Sequence, residues 1–200
     1  MAINGTATYE KQTDLPPLVA SAVDAARRAG FDMSCRPEQG RLLRLLAAGA
    51  GAGRIGETGT GCGVGLAWMA STADPGAELF SVERDPRRAG HAREVFAAEP
   101  RVRVRCGEWR ELQGDGPFDL LVLDGGGHGK ADEPPLEPSA WLRPGGLVVI
   151  DDFTPMTGWP PQYDGGLDEA RLYWLDHPRL RTAELRLSPA AATLVGTYIG

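Results

Sequence analysis

Acidic side chains end two of the apolar segments of this sequence. Asp124 closes the segment DLLVLD (119–124), and Asp151 and Asp152 close LVVIDD (147–152). If these segments are neighbouring parallel strands, about 4.8 Å apart, their carboxyl ends bring the three carboxylates together. Like charges at such short range are unfavourable unless a cation neutralises them or one carboxyl stays protonated. Oxygen ligands suit Mg²⁺, or alternatively Mn²⁺ or Ca²⁺, so the sequence predicts a metal site. The alternative is that these aspartates only cap a turn and the edge of a ligand site.

A glycine-rich stretch, E-T-G-T-G-C-G-V-G starting at Glu57, lies between an apolar run and a helical one. Its glycines at Gly59, Gly61 and Gly63 let the backbone adopt positive φ and approach a ligand closely. The helix that follows has free N–H groups at its start. Glu83 ends the next apolar run, where a carboxylate can accept hydrogen bonds from both hydroxyls of a ribose. Loop and acid together predict a nucleoside site.

The spacing of this loop disfavours two common nucleotide sites. A dinucleotide-binding fold needs GxGxxG directly after the strand, but Val64 stands where the last glycine belongs. A formal GxGxxG at Gly51, Gly53 and Gly56 precedes the strand instead of following it, and no GxxxxGK[ST] occurs. An NAD-dependent oxidoreductase is therefore a weak reading, and a P-loop protein is excluded.

Four segments in order resemble the S-adenosylmethionine-dependent class I O-methyltransferases. They are the glycine loop, whose E-x-G-x-G-x-G resembles motif I of these enzymes, together with DMSCRPEQGRLL (32–43), FDLLVLDGG (118–126) and LRPGGLVVIDD (142–152). The set is similar to small enzymes related to catechol O-methyltransferase and to the sugar and macrolide O-methyltransferases, from about residue 30 to the C-terminus. The resemblance implies S-adenosylmethionine as cofactor and methyl transfer to a hydroxyl oxygen of a small molecule.

The resemblance also implies roles for individual residues. The implied cofactor contacts are Cys35, Glu57, Gly59, Gly61, Gly63, Glu83, Glu108, Trp109 and Asp124. Motif I would face the methionine part and Glu83 the ribose, while Glu108 and Trp109 would hold the adenine. Trp109 as an ordinary core or surface tryptophan is the alternative. The implied metal ligands are Asp124, Asp151 and Asp152. Gly65 departs from the pattern, since many relatives have a hydroxyl side chain there for the methionine carboxylate.

Methyl transfer to an oxygen also requires a group that takes the proton. The predicted catalytic residues are Asp124 and, in the loop that follows it (DGGGHGK), His128 and Lys130 as candidate bases. His128 is the first candidate because an imidazole accepts a proton near neutral pH. In the resembled family the base, histidine or lysine, usually follows the strand-four aspartate by three residues, where this sequence has Gly127. The loop is therefore remodelled or the base is lost, and His128 as a surface histidine is the alternative.

The elements that position these residues follow from the hydrophobic pattern. Short apolar runs alternate with helical stretches, which is typical of βαβ units with helices on both faces of a mostly parallel sheet. Predicted strands cover 54–58, 79–83, 102–106, 119–124 and 147–152. Predicted helices include 18–30, ending at Gly30, and EQGRLLRLLAAGAG with an apolar stripe at 42, 43, 45 and 46. LRPGG (142–146) is predicted as a sharp turn and GLDEARLYWLD (166–176) as a helix.

The last residues predict two strands, RTAELRLS and ATLVGTYI, that pair antiparallel at one edge of the sheet. The predicted fold is an α/β, Rossmann-like three-layer αβα sandwich. Its sheet is mostly parallel and seven-stranded, with an antiparallel C-terminal edge hairpin. We expect one methyltransferase domain over residues 1–200, with residues 1–30 as an N-terminal helical cap segment.

Composition restricts the partners. With 27 acidic against 21 basic residues, the formal charge of −6 argues against a dedicated nucleic-acid binder. Cys35, Cys62 and Cys106 show no CxxC spacing, which disfavours a disulfide framework or a cysteine zinc site. No apolar run approaches the roughly 18 residues of a membrane span. The start lacks the pattern of a secretory signal, so we expect a cytoplasmic protein.

Alternatives remain at this stage. An RNA-nucleotide methyltransferase of the same fold and a catalytically silent cofactor-binding protein both fit the motifs. The segment FTPMTGWPPQYDG (153–165) offers Trp159 and Tyr163 to a planar phenol or a sugar, or equally to a partner copy in a homodimer.

Overall fold

Five short apolar runs form the parallel part of a seven-stranded sheet. In the computed structural model, which describes residues 4–131 and 133–200, these strands are Arg54–Thr58 (β1), Glu78–Glu83 (β2), Val102–Cys106 (β3), Phe118–Leu123 (β4) and Leu142–Phe153 (β5). Leu180–Arg186 (β8) and Ala192–Tyr198 (β9) pair antiparallel with each other, and β9 pairs antiparallel with β5. Residues 1–3 of the predicted cap segment lie outside the described residues.

The strand order is β3-β2-β1-β4-β5-β9-β8. The order reverses between β1 and β4, and ligands of open α/β sheets bind beyond the carboxyl ends of the strands at such a point. The mostly parallel sheet with an antiparallel C-terminal edge agrees with the prediction, as does the pairing of β4 with β5. The two aspartate-bearing strand ends are therefore neighbours.

One face of the sheet is covered by four helices. They are Pro17–Arg28 (α1), Pro37–Gly49 (α2), Val64–Ala70 (α3) and Pro86–Val95 (α4). Their small and apolar side chains pack on Ile55, Leu79, Leu120, Val122 and Val149 of the sheet. Three of these helices carry proline in their first turn, where the missing N–H has no intrahelical partner to lose. Gly30 follows α1 with a φ of +63°, as predicted for a terminating glycine.

The opposite face is covered unevenly. The α-helix that packs there is Glu169–Asp176 (α5), supplemented by two 3₁₀ helices at Trp109–Asp115 and Pro138–Ala140. Helices therefore cover both faces of the sheet, as predicted, but on this face they are one short α-helix and two 3₁₀ helices joined by irregular segments. A separate small hairpin, Gln162–Tyr163 (β6) with Gly166–Leu167 (β7), precedes α5. This hairpin takes the first residues of the predicted helix 166–176.

Two further details of the prediction were wrong. The buried residues of α2 include Gln39, Leu43 and Ala47, which recur every four residues, whereas Leu45 is 69% exposed and faces away from the core. Residues 142–146 are part of β5 rather than a turn outside it. The strand still carries an irregularity there, because its register against β4 shifts and Gly145 has a φ of +86°. Among the described residues, none of the helices has the length and apolar character needed to cross a membrane.

Candidate functional site

The glycine loop after β1 crosses the loop after β4 at backbone contact distance. Gly59 has a φ of +83°, and a Cβ on it would lie 2.5 Å from the Cα of Gly125. The crossing is held on both sides, since the N–H of Asp124 donates to the carbonyl of Thr58 (3.1 Å). The hydroxyl of Thr58 donates in turn to the carbonyl of Gly126 (2.8 Å). The ends of β1 and β4 can come this close only because both loops have glycine at the crossing.

A cleft of about 360 Å³ opens in front of this crossing. Seven of the nine predicted cofactor residues lie in its wall, namely Cys35, Gly59, Gly61, Glu83, Glu108, Trp109 and Asp124. Phe31, Met33 and Ser34 form the wall beside Cys35. The structure thus brings the segment before α2 and the ends of four strands, β1 to β4, around one hollow.

The remaining two predicted residues lie behind the loop. Gly63 directly precedes α3 with a φ of +94°, and a Cβ there would meet the ring of Phe96 at 2.8 Å. Glu57 is buried and accepts a hydrogen bond from the hydroxyl of Ser81 (2.7 Å). Burial raises the pKa of Glu57 well above its usual range. Both residues therefore support the loop from behind the cleft wall.

The carboxylate of Glu83 faces the cleft and organises its floor. One oxygen accepts the N–H of Gly61 and the other accepts the N–H of Asp85, each at 2.8 Å. The guanidinium of Arg88 lies 3.5 Å from the second oxygen. Each carboxylate oxygen has a second lone pair, so Glu83 can accept further hydrogen bonds from a ligand while it holds the loop.

Trp109 forms the far wall of the cleft. Its indole N–H donates to the carboxylate of Glu133, and its ring centroid lies 5.7 Å from that of Trp141. A Cβ on Gly126 would overlap the ring, so the loop after β4 packs directly against the indole. Glu133 also accepts the N–H of Gly127 (3.1 Å), and the sequence analysis missed it because no motif marks this position.

The three predicted metal ligands converge. Carboxylate oxygens of Asp124, Asp151 and Asp152 lie within 4.8 Å of one another. Burial, and next the charge of Asp151, raises the pKa of Asp124 to about 7. Burial raises the pKa of Asp151 to about 6, opposed by the nearby ammonium of Lys130. Three carboxylates this close together repel one another, and a divalent cation bound by their oxygens would offset that repulsion. Asp152 projects from an irregular point of β5 and has a φ of +63°.

The structure separates the two candidate bases. Lys130 directs its ammonium to the backbone carbonyls of Asp151 and Asp152 (2.9 Å to Asp152), beside the carboxylates. Burial lowers its pKa to about 8. His128 instead accepts the backbone N–H of Lys130 on Nδ1 (3.1 Å), and burial lowers its pKa to about 4. The imidazole is thus engaged in a local turn, whereas Lys130 contacts the backbone of two of the three aspartates.

A second cavity, of about 790 Å³, lies on the other side of these carboxylates. Its wall includes Asp151 and Asp152, residues of α2 and the small hairpin, and the turn before β9. The two cavities share Lys130 and Ala131 as lining residues. Of the aromatic residues proposed for an acceptor, Tyr163 lines this cavity, whereas Trp159 is 64% exposed and does not.

Comparison with known proteins identifies similar chains. A family model described as a methyltransferase domain matches residues 57–153. The catechol O-methyltransferase of Niastella koreensis is 32% identical over 147 residues, which are 66% of this chain and 64% of that protein. A putative O-methyltransferase of Mycobacterium avium is 29% identical over 85% of this chain and 80% of its own. The chain thus spans slightly less than two thirds of the length of the catechol O-methyltransferase.

Solved structures show the same fold. A putative O-methyltransferase from Klebsiella pneumoniae superposes with a TM-score of 0.72 at 21% identity, over 98% of this chain and 96% of the other. The O-methyltransferase TomG from Streptomyces achromogenes, solved with S-adenosylmethionine, superposes with a TM-score of 0.72 at 19% identity and the same coverage. The predicted fold class and the resemblance to S-adenosylmethionine-dependent O-methyltransferases are confirmed.

Proposed function

We propose that this chain, a relative of the S-adenosylmethionine-dependent O-methyltransferases, transfers a methyl group to a hydroxyl oxygen of a small molecule. The observation that carries the proposal is the meeting of the two cavities at Lys130 and Ala131, next to three carboxylates. A methyl donor in the cleft and an acceptor in the second cavity would face each other at that junction. Holding two reactants in such an arrangement supplies much of a rate enhancement, about 7–11 kcal/mol in well-oriented systems.

S-adenosylmethionine would occupy the cleft. Glu83 would accept hydrogen bonds from the ribose hydroxyls, and Glu108 and Trp109 would border the adenine. The glycine loop and Cys35 would face the methionine part, with backbone N–H groups standing in for the hydroxyl side chain that Gly65 lacks. The Streptomyces enzyme was solved in complex with S-adenosylmethionine and a Bacillus cereus O-methyltransferase in complex with SAH, which supports this choice of ligand.

The Glu83→Gln variant tests this placement. We expect it to weaken binding of S-adenosylhomocysteine by about 10- to 100-fold, because a hydrogen bond to a charged acceptor contributes about 1.5–3 kcal/mol. Isothermal titration calorimetry measures the change. Glu94→Gln, at an exposed position on α4, is the matched control and should bind as the wild type does. Equal affinity in all three proteins, or binding of NAD in place of S-adenosylhomocysteine, would contradict the assignment.

Asp124, Asp151 and Asp152 would hold a divalent cation, Mg²⁺ or alternatively Mn²⁺ or Ca²⁺. The chemistry that a bound cation would supply is a lowered pKa of a substrate hydroxyl held on it. The chain contributes the oxygen ligands and the buried setting described above. The backbone carbonyls of Asp151 and Asp152 hold the side chain of Lys130 at the edge of the carboxylate cluster. Among the described contacts, Lys130 donates to these carbonyls and to no carboxylate.

Removal of one carboxylate tests the metal assignment. Asp152→Gly removes the ligand and tolerates the φ of +63°, so the backbone is not strained. We expect the Mg²⁺ concentration for half-maximal activity to rise by about 10- to 100-fold, the equivalent of about 1.5–3 kcal/mol. Asp164→Gly, another positive-φ aspartate but on the exposed turn of the small hairpin, is the control. Full activity of the wild type in EDTA would refute metal assistance.

We infer that Lys130, in its neutral amine form, takes the proton. The acceptor oxygen would form a bond to the methyl carbon as the carbon–sulfur bond breaks, the hydroxyl proton would pass to the Nζ of Lys130, and S-adenosylhomocysteine would leave. Position supports Lys130 over His128, because Lys130 lines both cavities whereas His128 lines only the cleft. Asp124, at the back of the junction, would serve as a ligand and as a counter-charge to Lys130.

Transfer of a labelled methyl group to a panel of phenols, catechols and sugars tests the activity as a whole. Turnover of any member eliminates the silent cofactor-binding alternative. Labelling of RNA, with no labelling of the small hydroxylated molecules, would instead favour the RNA-methylating alternative, against which the net charge of −6 argues.

A homodimer is the alternative use of the exposed Trp159 side chain. Sedimentation of the wild type and of Trp159→Ala tests it, since a dimer held by this contact should dissociate in the variant.

A further inference from the structure

The side-chain amide of Gln39 is a buried polar group that the proposed reaction leaves unused. Gln39 lies in the first turn of α2, is 3% exposed, and contributes to the wall of the second cavity. Among residues 4–131 and 133–200, neither its Nε2 nor its Oε1 has a hydrogen-bond partner. A buried polar group without a partner costs stability. Both amide atoms are covered by neighbouring atoms in this conformation, but the residue borders the cavity, so a rotation of the side chain would let a ligand there complete the missing hydrogen bonds.

Gln39 is a polar residue on a stripe of α2 whose other members are apolar. The other buried side chains on the same stripe of α2 are Leu43 and Ala47, which pack in the apolar core. An apolar side chain at position 39 would continue that stripe without an unpaired amide. The helix is also fixed at this point, because a Cβ on the next residue, Gly40, would overlap the indole of Trp68. The backbone that carries the amide therefore has little freedom to turn away from the cavity.

We propose that Gln39 determines acceptor specificity, by pairing with a carbonyl or hydroxyl that the acceptor carries in addition to the hydroxyl that is methylated. This inference rests on the proposed function, since it takes the second cavity as the acceptor site. A carboxamide offers both a donor and an acceptor, so it recognises either group. An acceptor with an apolar substituent at that point leaves the amide unpaired in the complex, and a site of this kind discriminates strongly against it.

The first test is the stability of the protein without ligand. Gln39→Met conserves volume and removes the unpaired amide, so we expect the melting temperature to rise by about 2–4 °C. Thr182→Val is the matched control, because the hydroxyl of Thr182 is also buried without a partner among the described residues but lies on β8, outside both cavities. We expect a similar rise there. A lower melting temperature for Gln39→Met would show that the folded protein already pairs the amide and would overturn the inference.

The second test compares a dihydroxybenzaldehyde with the matching methylcatechol, which carries a methyl group in place of the aldehyde. We expect the wild type to prefer the aldehyde in kcat/KM, and Gln39→Met to lose about tenfold of that preference. Thr182→Val should keep the preference, and S-adenosylhomocysteine affinity should be unchanged in both variants, because neither residue lines the cleft. Equal discrimination by the wild type and Gln39→Met would overturn the inference.

The two proposals fail separately. If the wild type binds S-adenosylhomocysteine but methylates neither compound, the proposed function is in error for this acceptor class. The role of Gln39 is then decided by the increase in melting temperature that each compound gives. A larger increase with the aldehyde in the wild type, lost in Gln39→Met, supports it, and the same increments in both proteins overturn it.

Discussion

Lys130→Met is expected to lower kcat by about 10²- to 10⁴-fold, the usual contribution of a positioned proton acceptor. Methionine has a similar length and packs against the Phe153 ring, which lies 3.9 Å from the ammonium in the wild type. The variant should therefore fold and bind S-adenosylhomocysteine with little change. A labelled-methyl assay at saturating acceptor measures kcat. Lys11→Met is the matched control, since Lys11 and Lys130 are the two lysines of the sequence and Lys11 is exposed.

The Lys130→Arg variant separates two roles for this side chain. Arginine keeps the positive charge beside Asp151 and Asp152 but does not release its proton in proteins. If Lys130 accepts the proton, Lys130→Arg should be about as inactive as Lys130→Met. Recovery of most of the activity in Lys130→Arg would show that the site needs only a cation at this position, and the assignment of the base would then be wrong.

Gly59→Ala is expected to destabilise the protein by about 2–5 kcal/mol. A positive φ costs a non-glycine residue roughly 1–2 kcal/mol, and the new Cβ would lie 2.5 Å from the Cα of Gly125, so that two backbones must separate. Overpacking of this kind adds about 1–3 kcal/mol. Urea denaturation followed by circular dichroism measures the free energy of unfolding, and S-adenosylhomocysteine affinity should fall with it.

Two further alanine variants separate the contributions to this effect. Gly145 has nearly the same φ, +86°, but a Cβ there would meet no atom within 4 Å, so Gly145→Ala reports the cost of the backbone conformation alone. Gly125→Ala places a Cβ against Gly59 from the loop after β4, so it reports the cost of the steric overlap between the two loops. If Gly59→Ala costs no more than Gly145→Ala, the crossing does not constrain the strand ends in the way described.

The sequence predicted most of what lies along the sheet. β1 and β3 have the predicted bounds, and Asp124, Asp151 and Asp152 meet because β4 and β5 are parallel neighbours. These predictions succeeded because buried parallel strands are apolar throughout and the side chains at their carboxyl ends must share one edge. Neighbour relations of this kind are encoded locally and need no knowledge of the loops.

The irregular segments were not predictable in the same way. The sequence analysis preferred His128 as the base because an imidazole titrates near neutral pH, but the fold of the loop turns its Nδ1 toward the backbone of Lys130. The pairing of Glu133 with Trp109 joins residues 24 positions apart with no motif at either end. The error at Leu45 has another origin. The four leucines at 42, 43, 45 and 46 span roughly 160° of the helix, and Leu45 lies at the edge of that arc farthest from the buried positions Leu43 and Ala47.

The second cavity illustrates the same limit. Its wall combines α2, β5, the small hairpin and the turn before β9, which are far apart in the chain. Sequence reasoning located part of it, through Phe153 and Tyr163 in the segment after β5, but had no means of including Gln39. A glutamine on a helix is ordinarily a surface residue, and only the packed structure shows that this one is buried.

The glycine crossing also limits how such a protein can diversify. Gly59 and Gly125 leave no volume for a side chain, so mutation there is penalised whatever the acceptor. Tyr163 and Leu167, by contrast, are exposed at the rim of the second cavity and bear little of the packing of the sheet. A laboratory library that varies the rim and leaves the crossing intact should therefore yield many folded variants with altered selectivity, whereas one that randomises the crossing should yield few that fold.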